Sequence, residues 1–283
     1  MKMYSDFCCE EATLVINNNQ LKPMYEAWSK LINKMVDNLP EDILSKLTSP
    51  SLLTCSDSYL KSNKRIMLIG REAHHDKGAL NDVFCENSYL TDEYTDYEDE
   101  IVKGEAKETN FLKTRRLLSG FDDYNSRLTG QVKDGFKLMS LLVNNLNKTS
   151  FSGKETKCAA DLNTIYQKFK CDDSCIEANV FIHELNILKP DVLVMLCGRG
   201  YDEHIIRAFG ENFYEYIKSK QVFNVKQNIK AVSEIILIDK EKVKAWFGID
   251  DYSFSVVYGF HPSARLKKEI RDEYEKTLRA AIQ

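Results

Sequence analysis

Arg65-Ile66-Met67-Leu68-Ile69-Gly70-Arg71-Glu72-Ala73-His74-His75 is the stretch whose reading decides the fold. Four consecutive apolar residues, Ile66 to Ile69, are led in by Lys64-Arg65 and followed by Gly70. They read as a short strand, stopped at the glycine and buried on both faces. Strands of that kind belong to parallel sheets covered by helices. A carboxylate and two histidines follow within five residues of the glycine. In open α/β sheets the ligand crevice lies outside the carboxyl ends of the strands. Acid–base chemistry is therefore expected at the place where such a fold keeps its active site.

A second stretch of the same design, Ser255-Val256-Val257-Tyr258-Gly259-Phe260-His261-Pro262-Ser263-Ala264-Arg265, stands near the other end of the chain and is expected to complete the same site. Between the two, Leu138 to Val143 leads into Asn144-Asn145-Leu146-Asn147-Lys148, a second buried segment with amides at its tip. Asp191 to Gly198 is the clearest strand in the chain, and Ile235 to Ile238 reads as another. Cys175 to Leu188 is amphipathic and stops at Lys189-Pro190, while Lys267 to Ile282 closes the chain as a helix. Upstream, Leu21, Met24, Trp28, Leu31, Ile32 and Met35 keep the spacing of a buried helical stripe. Pro40 then opens another helix with Glu41 and Asp42 in its first turn. Strands separated by helical stretches give an α/β fold with a mainly parallel sheet. The organisation expected is a single domain, with residues 1–60 a helical extension packed on a core of residues 61–283.

With 43% hydrophobic and 29% charged residues among 283, the composition is that of an ordinary globular protein able to bury a large core. No run approaches the ~18 apolar residues of a membrane-spanning helix. The first ten residues, Met1 to Glu10, lack a hydrophobic signal core, so the cytoplasm is the expected compartment. Eight cysteines then read as reduced and scattered. Cys158, Cys171 and Cys175 form the grouping closest to a metal set, but paired C-x-x-C spacing is absent and no metal is expected. No G-x-G-x-x-G or G-x-x-x-x-G-K loop appears, which argues against a nucleotide cofactor.

The net charge of −4 conceals a segregation. Acid concentrates in residues 91–108, read as a solvated insertion, whereas basic residues gather at Lys61, Lys64 and Arg65, at Lys113, Arg115 and Arg116, and at Arg265, Lys267, Lys268 and Arg271. Because screening makes the local field decisive, basic patches on an acidic protein still attract phosphates.

The order of these elements resembles the uracil-DNA glycosylase superfamily. The resemblance rests on Gly70-Arg71-Glu72-Ala73-His74-His75, a strand ending in asparagine, Leu188-Lys189-Pro190-Asp191-Val192-Leu193-Val194-Met195-Leu196-Cys197-Gly198, and His261-Pro262-Ser263-Ala264-Arg265. It spans residues 64 to 282 and leaves the first sixty outside. In that family a G-Q-D-P-Y-H motif carries a carboxylate that positions or activates water, and an H-P-S motif carries a histidine beside the departing base. Here Arg71 replaces the glutamine, Glu72 the aspartate and His74 the tyrosine. The resemblance implies a three-layer α/β/α domain with a short, mainly parallel sheet. It further implies a monomeric, monofunctional DNA glycosylase that flips a nucleotide and leaves an abasic site. No lysine stands in the first motif or at the strand end near His261, so a Schiff-base lyase is not expected.

The resemblance also assigns roles. Glu72 would orient water and stabilise the cationic sugar, and His261 would donate to the charge developing on the base. Gly70, Arg71 and His74 would lie against the base, Phe84 would stack on it, and Asn145, with Asn144 as its neighbour, would read its Watson–Crick edge. Ser263, Arg265, Lys267, Lys148 and Arg199 would meet DNA, with Gly198 and Gly200 allowing close backbone approach. The family's tyrosine crowds carbon 5 of the pyrimidine, whereas His74 is smaller. A modified pyrimidine, such as the glucosylated hydroxymethylcytosine of phage DNA, is therefore the expected target, in a setting of anti-phage defence. Two other readings stand beside it: ordinary uracil repair, and a catalytically idle DNA-binding module on the same scaffold.

Overall fold

The computed structural model describes residues 20–21, 23–25, 28, 40–44, 53, 55, 57–72, 114, 117–118, 141–148, 176–198, 200–220, 233–261 and 268–282. Apolar runs form the strands. These are β1 (Ile66–Glu72), β2 (Leu141–Asn147), β3 (Val192–Met195), β4 (Ile236–Ile238) and β5 (Phe254–Tyr258). They make one mixed sheet in the order β2-β1-β3-β5-β4. β1 pairs in parallel with β2 and β3, and β3 with β5; only β4 runs antiparallel, against β5. The fold is α/β, with a mostly parallel five-stranded sheet among the described residues.

The helices with described bounds are α1 (Glu41–Leu44), α2 (Asp57–Leu60), α3 (Ile176–Leu188), α4 (Asp202–Phe209), α5 (Glu211–Ser219), α6 (Lys240–Phe247) and α7 (Lys268–Ile282). α1 starts after Pro40 with Glu41 and Asp42 in its first turn, as its sequence predicts. α3 stops where Lys189 turns to φ 42° ahead of Pro190. The Asp239 carboxylate accepts from the Lys242 N–H at 2.9 Å to start α6, and Gly248, at φ 69°, ends it in the left-handed conformation.

Because successive strand residues face opposite sides, β1 divides its side chains between two cores. Met67 and Ile69 enter one cluster with Phe181 and Leu185 of α3, Phe209 of α4, Phe213 of α5 and Phe247 of α6. Leu21, Tyr25 and Trp28, which are helical, and Leu53, Cys55 and Tyr59 belong to that same cluster. Ile66 and Leu68 enter the other, with Leu117, Leu118 and the α7 residues Tyr274 and Leu278. Leu31, Ile32 and Met35 of the N-terminal stripe lie outside the described residues.

Two expectations change. Gly70 does not stop β1, because its pairing with Asn145, and that of Glu72 with Asn147, carries the strand two residues further. The asparagines accordingly lie at the carboxyl end of β2, which ends in Asn147. Ile235 stays outside β4, and both it and Leu237 are exposed.

Candidate functional site at the carboxyl ends of the strands

The register gathers the chemistry-bearing stretches along one end of the sheet. Gly70 and Glu72 close β1, Asn145 and Asn147 close β2 beside them, and Tyr258 closes β5 three residues before His261. Neighbouring strands lie about 4.8 Å apart, so the ends of β1 and β5 are separated by roughly 10 Å, with β3 between them. Backbone hydrogen bonds continue past the regular strands and tie these ends together. The Leu196 N–H donates to Ile69 O at 3.0 Å, Gly259 N–H to Met195 O at 3.0 Å, and Gly198 N–H to Gly259 O at 3.1 Å. From the same end of β3, the buried Cys197 thiol donates to the Gly70 carbonyl at 3.5 Å.

Gly198 and Gly200 turn the chain at φ 75° and 90°. A Cβ on Gly200 would meet nothing within 4 Å, so its glycine answers to backbone conformation and not to close packing within the chain. α4 follows at once. Tyr258 donates its hydroxyl to Asp202 Oδ1 at 3.3 Å. Burial, and then the nearby Asp202 charge, push the Tyr258 phenol far above its ordinary range, so it stays protonated at neutral pH.

The two asparagines differ in kind. The Asn144 amide is fully engaged: Nδ2 donates to Glu184 Oε2 at 2.8 Å, and Oδ1 accepts from Lys148 Nζ at 2.6 Å and from the Asn145 N–H at 2.8 Å. It is therefore not free to read a base. Asn145, 1% exposed, keeps a buried Nδ2 with no hydrogen-bond partner among the described residues. A buried amide donor left unpaired is costly, on the order of 1–3 kcal/mol, so this one calls for a water or another group to meet it.

Lys148 is placed otherwise than its sequence position suggests. Its ammonium is wholly buried, donates to Glu184 Oε1 and Oε2 at 2.7 and 2.9 Å, and lies 4.7 Å from the centre of the Phe181 ring. A cation so enclosed is not offered to a phosphate; it neutralises Glu184. Likewise Lys61, Lys64 and Arg65 precede β1 and so stand at the opposite end of the sheet from Glu72. Arg65 is held there by Asp191, which accepts from its backbone N–H at 2.7 Å and its Nε at 3.3 Å.

His261 is described and half-buried. The backbones of Arg71 and Glu72 are part of β1, while their side chains, together with His74, Phe84, Arg199, Ser263, Arg265, Lys267 and the acidic segment 91–108, lie outside the described residues. So do Cys158, Cys171 and Cys175; Cys55 and Cys197 are buried free thiols. Among the described residues no group of three or more His, Cys, Asp or Glu is placed to hold a metal ion, and no helix is long and apolar enough to cross a membrane.

Sequence reasoning missed Glu184 and Tyr25. In α3, Glu184 occupies a position of the buried stripe formed by Val180, Phe181, Leu185 and Leu188. A charge inside an apolar stripe is a signal that it has a buried partner. The chain matches no protein-family model and no curated protein.

Proposed function

We propose that this chain is a monofunctional DNA glycosylase of the uracil-DNA glycosylase type, with the three-layer α/β/α fold of that superfamily. The parallel order β2-β1-β3-β5, with apolar clusters on both faces of the sheet, supports the fold reading. The observation that carries the functional reading is the buried Nδ2 of Asn145, which has no partner among the described residues, on the strand paired with the Gly70–Glu72 segment and at the sheet end where His261 also lies.

Hydrolysis of an N-glycosidic bond produces a cationic sugar and an anionic base. The nucleotide is first flipped out of the duplex, at a cost of a few kcal/mol, into a cavity where side chains replace the lost pairing. Asn145 donates to an acceptor on the base edge, which gives its amide the bond it lacks. Glu72 holds the attacking water and stabilises the positive sugar, and His261 donates to the base oxygen as negative charge gathers there. As the bond between the anomeric carbon and the base nitrogen breaks, water gives its hydroxyl to that carbon and its proton to the departing base anion; the products are an abasic site and the free base. The target is a pyrimidine substituted at carbon 5, since His74 stands where the related enzymes carry a larger tyrosine.

Incubation of the full chain with duplexes carrying uracil, 5-hydroxymethylcytosine or glucosylated 5-hydroxymethylcytosine, with released bases read by mass spectrometry, tests this. Release from the substituted cytosines supports it. Release from uracil alone replaces the target with that of ordinary repair. Binding without release from any duplex, unchanged by Glu72→Ala and His261→Ala, replaces the enzyme with a binding module.

A further inference from the structure

The N-terminal segment lies outside the resemblance, yet it is wired to the strand that carries Asn145. Tyr25 receives a hydrogen bond from the Leu53 N–H at 3.0 Å and donates its own hydroxyl to Glu184 Oε1 at 2.5 Å. Glu184 in turn accepts from Lys148 and from Asn144 Nδ2. The Asn144 carbonyl then accepts the backbone N–H of Asn145. Every residue in this series is at most 2% exposed. β2 ends the order of the described sheet, so alternate N–H groups along it lack a strand partner. That of Asn145 is satisfied by a side chain whose own position is fixed by Glu184.

We infer that Leu53, Tyr25, Glu184 and Asn144 form a positioning relay through which the N-terminal segment sets the aim of the Asn145 amide. This rests on the reading of Asn145 as the group that meets the base. The chemistry at each link fits a device for holding geometry. A carboxylate with two oxygens takes four donors here, from Tyr25, Asn144 and twice from Lys148, which leaves Glu184 no freedom to rotate. Lys148 cancels its charge and at the same time donates to Asn144 Oδ1, so both ends of the Asn144 amide are held. Tyr25, Glu184 and Asn144 are therefore positioning residues, and the buried ion pair is what keeps them rigid.

Tyr25→Phe removes one hydroxyl without changing packing and is the direct test. In the full chain labelled with 15N-asparagine, the side-chain amide of Asn145 is identified by its disappearance in Asn145→Asp. Tyr25→Phe is expected to shift or broaden that signal. Leu21→Val, which thins the same segment's packing without touching the relay, is expected to leave it in place. An unmoved Asn145 signal in Tyr25→Phe overturns the relay, and so does an equal movement in Leu21→Val, which would make the effect one of packing. Should Tyr25→Phe not fold, the charge-balanced pair Glu184→Gln/Lys148→Met carries the same expectation. In base release from the duplex the wild type cleaves best, Tyr25→Phe is expected to lose roughly ten- to a hundredfold in kcat with little change in KM, the scale of a small misplacement; an unchanged kcat overturns the relay. If the wild type releases no base from any duplex, the glycosylase reading falls while the amide signal still decides the relay.

Discussion

Lys148 Nζ lies 2.7 Å from Glu184 Oε1, and neither side chain reaches solvent. Two opposite charges sealed in an apolar core make a pair whose loss is asymmetric, because removing one member strands the other. Lys148→Met is expected to lower stability by about 3–5 kcal/mol, the cost of an uncompensated buried carboxylate. Equilibrium urea unfolding of the two proteins measures it. A loss below about 1 kcal/mol would mean that Lys148 is solvated and free for another role.

Removal of either proposed reacting group is expected to slow base release sharply without unfolding the chain. Glu72 is the last residue of its strand and His261 is half-buried beyond another. Glu72→Ala is expected to cost ~10²–10⁴-fold in kcat, the range of a lost general acid or base. His261→Ala is expected to cost ~10²–10³-fold, the range of a lost donor to developing negative charge. Single-turnover base release, beside an unchanged circular dichroism spectrum, checks both.

Alkaline pH is expected to unfold the protein. Burial holds the phenols of Tyr59, Tyr252 and Tyr258 well above their ordinary value of 10.0. The folded state thus keeps protons that the unfolded state gives up, and stability falls as pH rises above that value. Below it these groups are neutral in both states and contribute nothing to the slope. Tyrosinate absorbance followed against pH should show a cooperative step coinciding with loss of near-ultraviolet circular dichroism. Independent, non-cooperative ionisation of all the tyrosines near pH 10.0 would contradict it.

At the other end of the sheet, Asp191 joins the approaches to β1 and β3 by accepting from Arg65. Burial pulls the Arg65 pKa down, but the hydrogen bond and charge of Asp191 more than offset this and raise it. Both side chains are partly solvated, so the ion pair itself is weak and the backbone N–H is the firmer contact. Asp191→Ala is expected to cost about 1 kcal/mol and to leave kcat unchanged, since it lies remote from the proposed site. Thermal unfolding and base release, measured on one preparation, separate the two effects.

The strands were legible because a run such as Ile66 to Ile69 has one physical explanation when both faces are covered. The helix stop at Lys189-Pro190 was legible for a similarly local reason, the backbone restriction at proline. α4 and α5 drew no expectation from the sequence, since eight and nine residues give only about two turns each for a 3.6-residue period to register. The direction of β4 cannot be read from three residues, because its partner is chosen by the whole sheet. Of the site, the gathering of Gly70, Asn145 and His261 at one sheet end follows from parallel topology alone. The burial of Lys148 does not. A lysine just after a strand has the same local pattern whether it meets a phosphate or a carboxylate, and here the deciding residue, Glu184, stands 36 positions away.

The bond between Tyr25 and Glu184 joins residues 159 positions apart, and β1 has both of its strand neighbours later in the chain. A nascent chain emerging from the ribosome therefore exposes the apolar segment Ile66 to Ile69 well before β2 or β3 exists to cover it. Long-range pairing of this kind slows folding and lengthens exposure to aggregation. The early-made Tyr25, Trp28, Leu53 and Tyr59 share a core cluster with Met67 and Ile69, and they leave the ribosome ahead of that strand. They are thus available to shelter one face of it while the rest of the polypeptide is still being synthesised.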